Sequence, residues 1–334
     1  MRRVLITGTA GFIGYHLAEL LLAEGMTVHG YDALTDYYDV SLKQARHARL
    51  AEKPAFSATI GRLEDGESLA RTAEAFAPDV IVHLAAQAGV RYSLENPKSY
   101  VDTNINGTFN VLECARRLKV KHLVFASTSS VYGGNTQMPF REVDKADQPL
   151  TIYAATKKAG EALAHSYAHL WGIPMTGLRF FTVYGPWGRP DMALFKFTRA
   201  ILEGQPVEIY NGGDLYRDFT YIDDLTRAIR LLMDAPPVAC NPVSAHDSLS
   251  TVAPFRTVNI GNNDKVKLLD FVDALEAALG IPASRHFMEM QKGDVFATWA
   301  DVSLLKSLTG FTPATDYREG VRRFVEWFRG YYKL

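Results

Sequence analysis

Apolar residues fall along this chain in two alternating rhythms. Short β-rich runs such as Val4-Leu5-Ile6 and Val80-Ile81-Val82 are each followed by longer stretches whose apolar positions recur every three or four residues. The runs predict strands at Val4 to Thr7, Thr27 to Tyr31, Ala55 to Ile60, Val80 to Leu84, His122 to Ser127 and Met175 to Phe180. Helices are expected in the intervals, most clearly Phe12 to Glu24, Lys98 to Leu118 after the Asn96-Pro97 start signal, and Ile152 to Leu170. Strands alternating with helices imply a doubly wound α/β sheet, parallel and covered on both faces.

After Tyr184 the alternation weakens. A helix near Ala193 to Glu203, a strand at Val207 to Tyr210 and a helix from Asp223 to Met233 precede Ala235 to Pro254, whose Pro, Ser and Ala content without periodicity predicts a mobile surface loop. Helices at Leu268 to Leu279 and Arg318 to Tyr331 close the chain. The expected division is a sheet domain of residues 1–180 plus about 214–235, and a smaller C-terminal α/β domain of 181–213 plus 236–334.

Chemistry enters at the end of the first strand. Thr7-Gly8-Thr9-Ala10-Gly11-Phe12-Ile13-Gly14 is a glycine turn opening a helix, the arrangement that sets backbone N–H groups and a helix dipole against a pyrophosphate. Gly8 allows the turn, Gly11 a close approach, Gly14 helix–strand contact. Asp32 closes the second strand 18 residues after Gly14, where a carboxylate accepts from ribose hydroxyls and repels a 2′-phosphate. That combination is a Rossmann-type site selecting NAD over NADP; the alternative use of Asp32 is as the cap of its own turn.

Composition narrows the partners. The 334 residues carry 36 basic and 37 acidic side chains, a net charge of −1, which leaves no footprint for nucleic acid or an anionic membrane. The apolar start is cut at Thr7 and Gly8, and no run approaches a membrane span. Cys114 and Cys240 stand far apart, outside any metal-ligand spacing, so the expectation is a cytoplasmic enzyme without metal.

Tyr153 and Lys157 lie four apart, hence on one face of their helix. A tyrosine acting as a base at neutral pH needs its phenolate stabilised by roughly 3 pKa units, about 4 kcal/mol. Lys157 and a positively charged nicotinamide are able to supply it. The fifth strand runs into Ser127-Thr128-Ser129-Ser130, hydroxyls at a carboxyl strand end that faces the crevice of a doubly wound sheet.

Together TGTAGFIG, STSSVYG and YAATK resemble the extended short-chain dehydrogenases of the NAD-dependent epimerase/dehydratase type, as do HLAAQAGVRYS (His83 to Ser93), Asn104 within DTNINGT, and RDFTYIDD (Arg217 to Asp224). The resemblance spans nearly the whole chain. It implies that Thr128 and Tyr153 act on the reacting hydroxyl and Lys157 on the nicotinamide ribose. It also implies that Leu63 and Glu64 lie near the adenine and that Ala85, Ala86, Gln87 and Asn104 border the cofactor. Arg62 departs from the acidic residue relatives often carry there.

Within the family the resemblance separates reactions. Dehydratases place an Asp-Glu pair where Ser129 and Ser130 stand, and UDP-glucuronate decarboxylases a glutamate at Ser130; neither is present. The stretch Arg179 to Met192, containing Thr182 and PWGRPDM, and the Asp36-Tyr37-Tyr38-Asp39 loop resemble UDP-glucuronate 4-epimerases. The implied reaction is C4 epimerisation of a UDP-sugar through a 4-keto intermediate. A carboxylate at C5 needs donors, and Ser129, Ser130, Thr182 and Arg189 supply them, with Arg91 a further candidate. Resemblance puts Arg217 near the diphosphate and Asp294 among the substrate-binding residues, with Gln291 standing where galactose epimerases carry an arginine before Gly293-Asp294. UDP-galactose epimerisation, decarboxylation and a non-catalytic NAD sensor remain open alternatives. The family's habit implies a homodimer through Lys98 to Leu118 and Ile152 to Leu170.

Overall fold

A computed structural model describes residues 1–290 and 295–334. Six parallel strands, β1 (Arg3–Thr7), β2 (Thr27–Asp32), β3 (Phe56–Ile60), β4 (Val80–His83), β5 (His122–Thr128) and β6 (Met175–Phe180), form one sheet with a seventh, Phe255–Ile260. Their order is Phe255–Ile260, β6, β5, β4, β1, β2, β3. All six predicted strands are present within a residue or two of their expected ends. The alternation of buried side chains explains the layers: Val4 and Ile6, with Val80 and Val82, enter one apolar cluster, while Leu5 and Ile81 enter the other on the opposite face.

Helices α1 (Phe12–Ala23) and α2 (Val40–Ala51) cover the first face, joined by Ile222–Leu232. Helix α3 (Gly66–Phe76) covers the second, together with Thr108–Leu118 and Ile152–Trp171. The predicted helix from Lys98 is not uniform: a short helix Pro97–Tyr100 passes through a π-helical segment, Val101–Gly107, before Thr108–Leu118. Such wide turns recur at functional sites, and this one directs Thr103 to Glu64 and Asn104 to Gln87.

The seventh strand was not expected. It lies in the stretch assigned to the smaller domain, yet pairs residue for residue with β6, from Phe255↔Met175 to Ile260↔Phe180. Its six residues are all buried. The preceding loop is irregular as expected, but its second half is fastened rather than loose: Asp247 forms an ion pair of 3.0 Å with Arg256, Ser248 bridges Thr257, and Ser250 bonds Phe255 and His165. The first apolar cluster continues into the C-terminal helices through Phe271, stacked on Phe219 at 3.9 Å, and Phe324. No described helix is long and apolar enough to cross a membrane.

Below the end of β5, Glu161 and Arg179 form a buried pair through two bonds of 2.9 Å, with Ser127 donating to the same carboxylate at 2.6 Å. Both side chains are 4% exposed. Glu161→Gln leaves the guanidinium without its counter-charge, so we expect a loss of about 3–5 kcal/mol in urea unfolding, with much of it recovered when Arg179→Met is added.

Candidate active site

The strand order reverses between β1 and β4, so the carboxyl ends of these strands open a crevice. Gly8 turns the chain there with φ +87°, and a Cβ on it would lie 2.8 Å from the backbone nitrogen of Ala85, at the end of β4. The Thr7 hydroxyl accepts from that same nitrogen at 3.1 Å. A Cβ on Gly14 would sit 2.0 Å from the Gly8 carbonyl oxygen, so only glycine lets α1 start this close over β1. The first turn of α1 has no side-chain cap, and Gly11, Phe12, Ile13 and Gly14 line the crevice. Uncapped amides at a helix N-terminus form an anion cradle that fits a pyrophosphate.

Asp32 serves two purposes. One carboxylate oxygen accepts from Leu34 N at 2.8 Å, capping its own turn, and the other accepts from Ala10 N at 2.9 Å, bracing the glycine turn. It also lines the crevice, which keeps it available to a ribose. Leu63, Glu64, Ala85, Ala86 and Gln87 line the same wall. Asn104 is a correction: it stands behind that wall. Its carboxamide is 2% exposed and engaged with both Gln87 backbone groups and the Thr156 hydroxyl, so it reaches a cofactor only by holding Gln87 in place.

Thr128 ends β5 and Tyr153 and Lys157 project from the first turns of Ile152–Trp171, and all three line the crevice. Lys157 Nζ donates to the Ala126 carbonyl at 2.9 Å. Burial pulls its pKa down to about 8, with Glu161 pulling the other way. Burial pushes the Tyr153 phenol above its usual value, offset in part by the Thr128 hydroxyl and the Arg189 charge. By itself, then, the protein keeps Tyr153 protonated.

Ser129, Ser130, Thr182, Arg189, Arg91 and Arg217 line the remainder of one cavity of about 1360 Å³. That exceeds the roughly 300–1,000 Å³ of an ordinary small-molecule pocket, and leaves room for a dinucleotide and a nucleotide sugar together. Arg189 differs from its expected state. Its Nε and Nη2 bind the Asp191 carboxylate at 3.0 and 2.5 Å, and Tyr37 donates to that carboxylate at 3.1 Å. Arg91 lies over the Tyr210 ring at 4.8 Å, and Arg217 donates to the Tyr216 carbonyl at 2.8 Å. Asp294 and Gln291 lie outside the described residues.

Two site residues escaped the sequence reading. Lys43, on α2, is 6% exposed, donates to the Thr35 hydroxyl at 3.0 Å and feels the Asp32 charge. No spacing rule marks it, because α2 reaches the crevice only after folding. Asp191 stood in plain view within PWGRPDM, but its claim on Arg189 is a matter of side-chain direction.

A glycine cradle at a helix N-terminus, an acidic strand end and a Thr/Tyr/Lys trio in one crevice define an oxidoreduction-type active site built around a dinucleotide. Residues 4–242 match the NAD dependent epimerase/dehydratase family, and the chain belongs to it. It is 56% identical to a Rhizobium meliloti protein named Probable UDP-glucuronate 4-epimerase, across 99% of this chain and 98% of that one. It is 46% identical to UDP-glucuronate 4-epimerase 1 of Arabidopsis thaliana, across 98% of this chain and 77% of that one. A UDP-glucuronic acid 4-epimerase from Bacillus cereus, solved in complex with UDP-glucuronic acid and NAD, superposes with a TM-score of 0.88 at 31% identity, covering 99% of this chain and 100% of that one.

The Gly14 contact yields a test. Alanine is the better helix former by about 1 kcal/mol, yet Gly14→Ala should weaken NAD binding at least about ten-fold by displacing the Gly8 carbonyl and the turn. Calorimetric titration measures it, and an unchanged dissociation constant would show that the contact does not shape the cradle.

Proposed function

We propose that the protein is an NAD-dependent isomerase that converts UDP-glucuronate to UDP-galacturonate at C4. The observation that carries this is the wall shared with Tyr153: Ser129, Ser130, Thr182 and Arg189 offer donors suited to a sugar carboxylate, and no acid stands at 129 or 130 to expel water. The names borne by the Rhizobium, Arabidopsis and Bacillus relatives agree with it.

In this reading Gly8, Gly11 to Gly14, Asp32 and the Leu63-Glu64 and Ala85 to Gln87 segments hold the dinucleotide. NAD, when bound, supplies a positive charge beside Tyr153 and a reversible hydride acceptor able to serve either face of a keto sugar. The phenolate oxygen of Tyr153 takes the proton of the C4 hydroxyl and gives it back after the sugar has turned over, and Thr128 orients that hydroxyl by hydrogen bonding. Lys157, tethered to Ala126 by one N–H, keeps its other protons for the nicotinamide ribose and its charge for the phenolate. Arg217 faces the diphosphate. The 4-keto uronate is a β-keto acid, which loses carbon dioxide if its C–carboxylate bond aligns with the carbonyl π system. Fixing the carboxylate therefore protects the intermediate.

Two helices support a homodimer. Val101 at the start of the π-helical segment and Phe109 within Thr108–Leu118, with Leu170 and Trp171 at the end of Ile152–Trp171, expose large apolar side chains, 43%, 45%, 65% and 46% accessible, on elements that pack together. A cytoplasmic location accords with the thiols of Cys114 and Cys240, both free.

Incubating the protein with UDP-glucuronate and resolving products by NMR tests the reading: UDP-galacturonate should appear, without net NADH. UDP-xylose or inert substrate would overturn it. Tyr153→Phe should lower turnover by about 10³-fold or more while binding NAD and UDP-glucuronate nearly as before, because it removes the base and little contact area. For the cofactor, the Asp32 carboxylate should make NADP bind at least about ten-fold more weakly than NAD. Equal affinities in calorimetry would contradict that role.

A further inference from the structure

Arg46, on α2, is the largest fully buried side chain described, and it has no carboxylate partner among the described residues. Its Nη1 donates to the Ala10 carbonyl and the Tyr38 hydroxyl, each at 2.9 Å. Its Nη2 donates to the carbonyls of Trp187 and Gly188 at 2.5 and 3.2 Å, while Nε has no partner. A buried cation without a counter-ion is costly, and packing alone would be served by an apolar side chain of similar volume. What the guanidinium does that such a side chain cannot is bind backbone oxygens from two distant segments in one plane.

Those segments are the two halves of the active site. Ala10 lies in the glycine turn that cradles the dinucleotide. Trp187 and Gly188 lead directly to Arg189 and Asp191. The preceding carbonyl, Pro186, is held at 2.9 Å by Nε2 of His16 on α1. Burial keeps His16 neutral, with a pKa of about 4, so Nε2 carries the donated proton across the physiological range. Three consecutive carbonyls are thus gripped by side chains of α1 and α2. The grip holds Trp187 at φ +60°, a left-handed conformation that a bulky residue adopts at a cost. Tyr38, which Arg46 also binds, is next to Tyr37, whose hydroxyl meets Asp191. The 186–191 segment is therefore tied to the region around the cofactor turn at both ends.

We propose that Arg46 is a positioning residue that sets the Arg189–Asp191 pair relative to the glycine turn, and so makes the site selective for a sugar carrying a carboxylate. This rests on the uronate reading given above. Arg46 does not line the cavity, so it acts on a substrate only through the segment it holds. A loss of general stability would weaken binding of all UDP-sugars alike; a loss of positioning falls on the charged sugar.

The experiment uses NAD-loaded Tyr153→Phe protein, in which binding is separated from turnover, titrated calorimetrically with UDP-glucuronate and with UDP-glucose. With Arg46 present, UDP-glucuronate should bind the more tightly. Adding Arg46→Lys, which keeps the charge but not the planar fork, should weaken UDP-glucuronate by about ten-fold and UDP-glucose by less than about three-fold. An unchanged preference, or equal losses on both sugars, overturns the proposal. Absence of any preference while Arg46 is present overturns the uronate reading itself, and the proposal with it. Should Arg46→Lys fail to fold by circular dichroism, His16→Phe, which keeps the ring but removes the donor to the Pro186 carbonyl, takes its place, and it too must weaken the uronate selectively for the proposal to stand.

Discussion

Because both faces of the parallel sheet are covered by helices, the polar ends of its strands are where backbone and side-chain donors can meet a ligand, and the reversal of order between β1 and β4 leaves those ends uncovered at one place. The rest of the site hangs on how closely α1 can begin over that place. Gly14 against the Gly8 carbonyl sets the distance, and Gly8 against Ala85 sets the width of the opening. Asp32 then braces the turn it faces by bonding Ala10, while its carboxylate still lines the crevice. The cradle is a property of backbone contacts that tolerate no Cβ.

On the other side of the crevice the organising quantity is charge in a place with little water. Arg189, Lys157, Lys43 and Arg46 bring positive charge to the crevice or just behind its wall, each handled differently. Arg189 is matched by Asp191, whose attraction outweighs the cost of burial and holds the guanidinium charged. Lys157 is bonded to a carbonyl and has its pKa drawn down to about 8. Lys43 is bonded to Thr35 and lies within reach of the Asp32 charge. Arg46 is solvated by carbonyls in place of water. These choices decide which cations can respond to a bound anion and which serve only to hold the chain.

The pairing of Arg189 with Asp191 also changes how a carboxylate would be recognised. A guanidinium already neutralised on one edge offers direction more than net charge, so in the proposed reading the hydroxyls of Ser129, Ser130 and Thr182 would carry a larger share of the discrimination than a lone arginine would leave them. Thr128 and Ser130 are already bonded to one another at 3.2 Å, so the hydroxyl proposed to act at the reacting carbon and one of those proposed to meet the carboxylate are directly coupled.

Local pattern by itself determined the six strands to β6, the glycine turn with its helix, and the Tyr153–Lys157 pair, because each depends on residues within one element or its immediate neighbour. Motif resemblance added the family and the wall residues. Tertiary structure alone decided the seventh strand at Phe255–Ile260, whose mixed run, with Arg256, Thr257 and Asn259 between Phe255, Val258 and Ile260, follows an irregular loop and becomes a strand only because the edge of β6 is free to pair with it. It alone moved Asn104 behind the wall, through a π turn that period counting does not register. It alone joined Arg189 to Asp191 and Tyr37, and Arg46 to carbonyls 36 and 141 positions away. Contacts of that separation are set by the packing of α2 against the 186–191 segment, and no periodicity along the chain encodes the direction in which a buried arginine points.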